Sequence, residues 1–301
     1  MEITLDVFSG RPNPTWSLSD AQARELIDRA AGRALAAPDS GPDLLGFRGY
    51  IVSAVSDDGA EHAGLPASFR LDAVPAERLV APEGLAARAL TVDESVDASS
   101  WLLSTAGAAV EDDVLEYVRE AIGERRAAYE APAEGLDEGP SPEAEEEAPE
   151  GVARAACILA NTAYNPAFWN VPSVQPHNNC YNYAMNYRSN TFAQPGRISG
   201  HPNNVMQCPN VATASNWDGC TAYCSGSNKN VALVVWPNND YHWYRYHSNG
   251  FWGHKPGGTA ARNTDNSGQV IGGGLNPYNC NRGPYTLFCG YRYSPTGMQV
   301  S

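Results

Sequence analysis

The first third of the chain alternates between two periods. Residues 2–8, EITLDVF, place apolar and polar side chains in turn, the period of a half-buried strand. They run into SGRPNP, whose glycine and two prolines impose an extended turn. Ser19 and Asp20 offer a cap to a helix from about Ala21 to Ala36, with Ala23, Leu26, Ile27 and Ala30 on one face. FRGYIVSAV at 47–55 predicts a second strand, and the 3.6 period returns from Val110 to Tyr129 as an amphipathic helix. These elements predict a small α+β domain with an antiparallel sheet.

The pattern changes after residue 150. A short apolar helix, VARAACILANTAY, is expected to lead through the loop FWNVPSVQPHNN into a second short helix headed by Cys180. Residues 188–228, rich in Asn, Gly, Ser and Pro and carrying Cys208, Cys220 and Cys224, read as long loops pinned by cross-links. The most regular stretch follows: NVALVVW (230–236), YHWYRYH (241–247) and FWGHK (251–255) read as three strands of an antiparallel meander joined by the turns PNND and SNG. GQVIGG, from Gly268, and YTLFCGYRY, from Tyr285, are further strand candidates. The second domain is therefore also expected to be α+β.

Composition divides the chain at the same place. Residues 1–150 hold 11 Lys+Arg against 31 Asp+Glu, a net of −20, whereas residues 151–301 hold 9 against 3, a net of +6. All seven cysteines, 12 of 15 tyrosines and 22 of 23 asparagines lie after residue 150, the usage of an exported domain held by disulfides. Between the halves, residues 130–150 contain nine acids, no base and a proline every few residues, which predicts a self-repelling, protease-sensitive linker. The expected organisation is an accessory domain at 1–129, the linker at 130–150 and a Cys-rich domain at 151–301. The opposite charges predict an intramolecular attraction of the acidic half for the basic one.

No run approaches the roughly 20 apolar residues of a membrane span, and MEITLDVFSGRPNP has neither a basic nor an apolar leader region, so export is expected by a route without a signal peptide. The mild positive charge of the second half, with no basic helix, gives no case for nucleic acid, and no glycine loop of phosphate-binding type is present, so no cofactor is expected. Cys220 and Cys224 are spaced by three residues with no matching second pair, and no metal is expected.

Candidate chemistry converges on Cys180. Asn179 is a good helix N-cap, and a thiol in the first turn near the positive end of the helix dipole favours the thiolate, the reactive form. Half of a disulfide, or a small buried apolar residue, is the other reading of the same position. A thiol nucleophile needs an imidazole on an adjacent strand and a third group to orient it. His242 opens one strand, and counting across the hairpin turn at Ser248–Gly250 places His254 on the next strand with the same parity. Seven cysteines are an odd number: if Cys157, Cys208, Cys220, Cys224, Cys280 and Cys289 form three bridges, Cys180 is left free. Fifteen pairings are possible for six cysteines; proximity suggests Cys280 with Cys289.

The segment HWYRYHSNGFWGH, read as H-x3-Y-x2-NG-x3-H, resembles the histidine hairpin of the papain-like superfamily, particularly its NlpC-like cell-wall endopeptidases and amidases. The resemblance spans roughly residues 170–256. It implies a papain-like α+β domain in which Cys180 is the nucleophile, His242 the base and His254 the orienting group, with Gln175 serving an oxyanion hole; Asp240, Asp265 and Asn266 stand as substitutes for the third position. Where that family has Asp-Cys-Ser-Gly, this chain has Asn179-Cys180-Tyr181-Asn182. The implied activity is a secreted thiol hydrolase, an effector or toxin cleaving amide bonds of a peptide or peptidoglycan-like substrate.

The alternative is a non-enzymatic, disulfide-rich module that binds glycans or a cell surface. Trp236, Trp243, Tyr244 and Trp252 form an aromatic stripe suited to packing or to stacking on sugars. The motif LDVFSGRPNP carries no assignable chemistry; Asp6, Arg11 and Asn13 read as polar residues beside a turn.

Overall fold

The computed structural model describes residues 1–42, 44–53, 65–71, 79–80, 88–130 and 156–301, with backbone alone at 79–80, 88–89 and 128–130. It is a mixed α+β protein with largely antiparallel sheets and two disulfides. The chain divides into two compact units: Met1–Val7, Asn13–Pro42 and Phe47–Leu136 form one, and Phe8–Pro12, Asp43–Gly46 and Asp137–Ser301 the other. The acidic stretch from residue 131 to 150 lies outside the described residues.

In the first unit, β1 (Glu2–Asp6) is the alternating strand the sequence predicts, and β2 (Thr15–Ser17) follows it antiparallel. Helix α1 spans Asp20–Ala30, shorter than expected. Its start is a capping box in which Ser19 and Gln22 satisfy each other's free amides. Its end comes before Gly32, which takes φ +68°, a conformation glycine adopts without the Cβ clash that penalises other residues; the chain then reverses into β3 (Arg33–Ala36). β4 (Gly49–Ser53) and β5 (Ser68–Leu71) complete the middle of the sheet, with the short strands β6 (Leu79–Val80) and β7 (Arg88–Ala89) beside β3. Two helices, α2 (Val92–Ser104) and α3 (Asp112–Glu130), follow.

Asp6 ends β1 with its side chain buried. Its carboxylate accepts from Arg48 Nη2 at 2.7 Å, from Arg70 Nη2 at 2.5 Å and from Asn13 Nδ2 at 3.0 Å. Burial alone would raise its pKa, but the two guanidiniums outweigh burial and hold the carboxyl well below the ordinary carboxylate range.

The second unit is a five-stranded sheet in the order β11-β10-β9-β12, with β8 beside β9. The meander is as the sequence predicts: β9 Gly226–Trp236, β10 Asp240–Tyr246 and β11 Trp252–His254, with β12 at Leu287–Pro295. The expected GQVIGG strand is reduced to isolated bridges, Thr264 with Val270 and Phe251 with Gly272. Where a short helix is expected after residue 151, the described residues Cys157–Leu159 form β8 instead, parallel to β9. The disulfide from Cys157 to Cys224, just before β9, ties this edge in place, and Ile158 and Leu159 are left exposed, as no helix burying an apolar face would leave them.

The expected 188–228 loops contain helix α6, Cys208–Trp217; α4 is Pro166–Trp169 and α5 is Cys180–Met185. The second disulfide joins Cys208 to Cys289. Cys289 is thus not paired with Cys280, and Cys180, Cys220 and Cys280 are free, buried thiols. Two bridges form where three are expected, because Cys280 is placed beside Tyr244 and Cys220 lies in the core cluster with Cys180, Tyr241 and Trp243. Pairing of Cys224 with Cys157 also removes the Cys220–Cys224 pair as a metal site.

Candidate functional site

The 3-10 turn Gln175–His177 and the capped helix α5 carry the expected nucleophile. Asn179 Oδ1 accepts from Tyr181 N at 3.1 Å and Asn182 N at 3.2 Å, and Asn182 Oδ1 returns the favour to Asn179 N at 3.1 Å. The cap is therefore present, but the thiol it heads is fully buried against β10. Sγ of Cys180 points at the Tyr241 carbonyl, 3.9 Å away, and burial, reinforced by the negative charge of Asp240, raises its pKa well above the ordinary thiol value. This environment favours the neutral thiol, not a thiolate.

His242 and His254 do meet: Nε2 of His242 lies 2.8 Å from Nδ1 of His254. Nε2 of His254 lies 2.8 Å from the Thr264 carbonyl and 3.1 Å from the Arg262 Nε that points at it. Burial and the neighbouring Arg262 push the His254 pKa well below its usual value, keeping the ring neutral. The structure does not bring these rings to Cys180. Tyr241 and Trp243 share the core cluster with Cys180, so they mark the face of β10 that α5 covers. His242 lies between them in the strand and points to the opposite face, among Tyr244, His254 and Tyr285.

The remaining candidates are occupied elsewhere. Gln175 contributes its backbone carbonyl to Lys255, whose Nζ, fully buried, donates to the backbone carbonyls of Gln175 at 2.6 Å, Gly257 at 2.7 Å and Asn178. Asp265 accepts backbone amides of Ser267, Gln269 and Asn281, and Asn266 pairs with both backbone groups of Leu45. Asp240 receives the backbone of residues 9–11 and the hydroxyl of Tyr285.

Exposed aromatic surface lies elsewhere on this unit. Trp236, Trp243, Tyr244 and Trp252 of the expected stripe are all buried. Trp217, at the last turn of α6, is 58% exposed, and His201 stacks flat on it, centroids 4.0 Å apart and planes 6° from parallel. The two rings wall a groove of about 300 Å³ completed by Pro202, Asn203, Asn210 and Thr213. Among the described residues, no carboxylate, lysine or arginine lines it. On the far side of the meander a second run of rings, Trp252, Tyr291, Phe288 and Tyr278, is in edge or stacked contact at 5.0–5.4 Å, with Tyr278 and Tyr291 exposed.

No family model matches the chain, and no solved structure matches it. Among known proteins, it is 46% identical over 141 residues to "Insoluble matrix shell protein 1" of Ruditapes philippinarum, a match covering 93% of that protein and 46% of this chain. The chain belongs to the family of that shell protein.

Among the described residues of this shell-protein relative, no helix is long and apolar enough to cross a membrane, and no group of three or more His, Cys, Asp or Glu is placed to hold a metal ion. Its buried histidines have a consequence for acid stability. Nε2 of His247 lies 2.7 Å from the Tyr183 hydroxyl, and burial together with Arg245 lowers its pKa to about 4; burial and Arg262 lower that of His254 as well. A depressed histidine contributes stability that is complete above its unfolded pKa, roughly 6.5, and is lost as pH falls toward the folded value. Asp240, whose pKa burial raises, acts in the opposite sense, and Asp6 keeps its full contribution throughout this window, losing it only below the ordinary carboxylate range. The urea midpoint should therefore fall as pH is lowered from 6.5 to 4.5, and less steeply in His247→Asn; a flat midpoint in the wild type would contradict the assignment.

Proposed function

We propose that this protein is a non-catalytic, disulfide-braced module of an extracellular matrix, and that its second unit binds a neutral, hydroxylated polymer such as a polysaccharide. The observation that carries this reading is the groove of Trp217 and His201. An exposed, rigid indole flanked by an imidazole ring and by amide and hydroxyl side chains suits a ligand with apolar ring faces and polar edges. Two disulfides agree with an oxidising, extracellular setting. The relative's description as an insoluble matrix shell protein supports a matrix role. The thiol-hydrolase reading draws no comparable support, since Cys180 and His242 occupy opposite faces of β10.

The test is sedimentation of the full chain with insoluble polysaccharides, chitin and cellulose among them. Wild type should co-sediment with one of them, and Trp217→Ala should weaken the binding by about tenfold, an aromatic stacking contact being worth roughly 1–1.5 kcal/mol. Cys180→Ala should bind as the wild type does. Equal binding by Trp217→Ala, or no binding by the wild type to any polymer, would remove the proposal.

A further inference from the structure

The turn SGRPN, which the sequence leaves without a task, is held in the second unit as a ligand is held in a receptor. Most of the contacts run from receptor side chains to the backbone of the segment. The buried carboxylate of Asp240 accepts three consecutive amides, from Ser9 at 2.6 Å, Gly10 at 3.1 Å and Arg11 at 2.9 Å, and also the Tyr285 hydroxyl at 2.5 Å. The Gly10 carbonyl accepts from Asn179 Nδ2 at 2.8 Å, Gln194 Nε2 at 2.8 Å and the Tyr241 hydroxyl at 3.2 Å. Gly257 N donates to the Ser9 carbonyl at 3.1 Å.

Side chains of the segment add selectivity. A Cβ on Gly10 would lie 2.5 Å from the Tyr241 ring, so the central position admits glycine alone without displacement. Phe8 meets Trp236 edge-on at 5.9 Å, and the Arg11 guanidinium lies over Phe8 while donating to the Asn239 carbonyl. The slot thus reads Phe-Ser-Gly-Arg: an aromatic ring, three amides in a row, no side chain at the third place and a cation at the fourth.

Receptor and segment are separated by more than 160 residues of chain at every contact named, for instance 231 between Ser9 and Asp240. Recognition that depends on no local connectivity works equally when the segment arrives from another molecule. We propose that this slot is a peptide-recognition site, filled in cis by Phe8–Pro12, and that the same segment of a second copy of the chain binds it when the cis segment is displaced, linking copy to copy.

Complementation between two full-length variants tests this. Gly10→Ala spoils the segment and leaves the slot intact; Asp240→Ala spoils the slot and leaves the segment intact. Each alone should run as a monomer on size exclusion, and an equimolar mixture should yield a species of twice the mass. A synthetic peptide of residues 7–13, VFSGRPN, should bind Gly10→Ala, compete the mixed species apart and bind Asp240→Ala at least about tenfold more weakly, since charge-assisted bonds to three amides are lost. Arg11→Pro, which removes one donor amide, serves as a second acceptor variant. The proposal is overturned if the variants do not associate and the peptide does not bind Gly10→Ala. It is equally overturned if both acceptor variants unfold, because a slot that collapses without its segment is a piece of core and not a recognition site.

Discussion

Lys255→Met should lower the unfolding free energy by about 2–4 kcal/mol, the range for leaving a few buried carbonyls without a donor, and should do so without altering the strands around it. The ammonium is fully buried and gathers three backbone carbonyls, those of Gln175, Asn178 and Gly257. Methionine keeps the length of the stem and removes the donors. Each orphaned carbonyl forfeits its partner at a cost of roughly 1–3 kcal/mol, and the three costs overlap because water enters once for all of them. Gln175 and Asn178 frame the turn that delivers Asn179 and the α5 cap. Amide exchange at Tyr181 and Asn182 should therefore quicken in the variant along with the fall in the urea midpoint. A loss below about 1 kcal/mol, the ordinary cost of a point substitution, would show that the ammonium is dispensable.

A comparable loss is expected in the first unit from Asp6→Ala. Asp6 bridges Arg48 and Arg70, both buried, and removing it takes the one carboxylate from between two guanidiniums held away from water. Breaking a buried pair from one side costs about 3–5 kcal/mol, a large share of the 5–15 kcal/mol that holds a typical domain together. Asp6→Asn, which keeps the shape and some hydrogen bonds, should still lose most of that stability, because the charge is what it lacks. Thermal unfolding of the two variants beside the wild type decides the point: near-native melting of Asp6→Asn would assign the role of Asp6 to hydrogen bonding alone.

What was legible in the sequence follows from local physics. The meander could be read because β9, β10 and β11 alternate or run apolar and are separated by turn residues at Pro237–Asn239 and Ser248–Gly250. Parity counted across such a hairpin puts His242 and His254 on one face, and a nitrogen of each ring lies 2.8 Å from the other. Parity does not say which face of the sheet the next helix will cover. Cys180 went to the Tyr241 and Trp243 side, and no feature of α5 itself announces that choice. Disulfide pairing was illegible for a related reason: the partners are separated by 67 and 81 residues, whereas the nearest-neighbour guess joined Cys280 to Cys289. The strand at Cys157–Leu159 was hidden by an apolar run that suits a helix equally well, and only β9 and the Cys224 bridge decide it. The aromatic stripe misled because the ring count was right and the burial was not; Trp217, the exposed indole, sits in a stretch that read as loop.

The order of the disulfides along the chain has a topological outcome. Cys157 pairs with Cys224 and Cys208 with Cys289, so the second bridge starts before the first has closed. A single backbone scission anywhere from residue 157 to residue 289 leaves at least one bridge spanning the break. Nicked once in that interval, the polypeptide stays one covalent molecule until it is reduced, so a first proteolytic cut there releases no fragment.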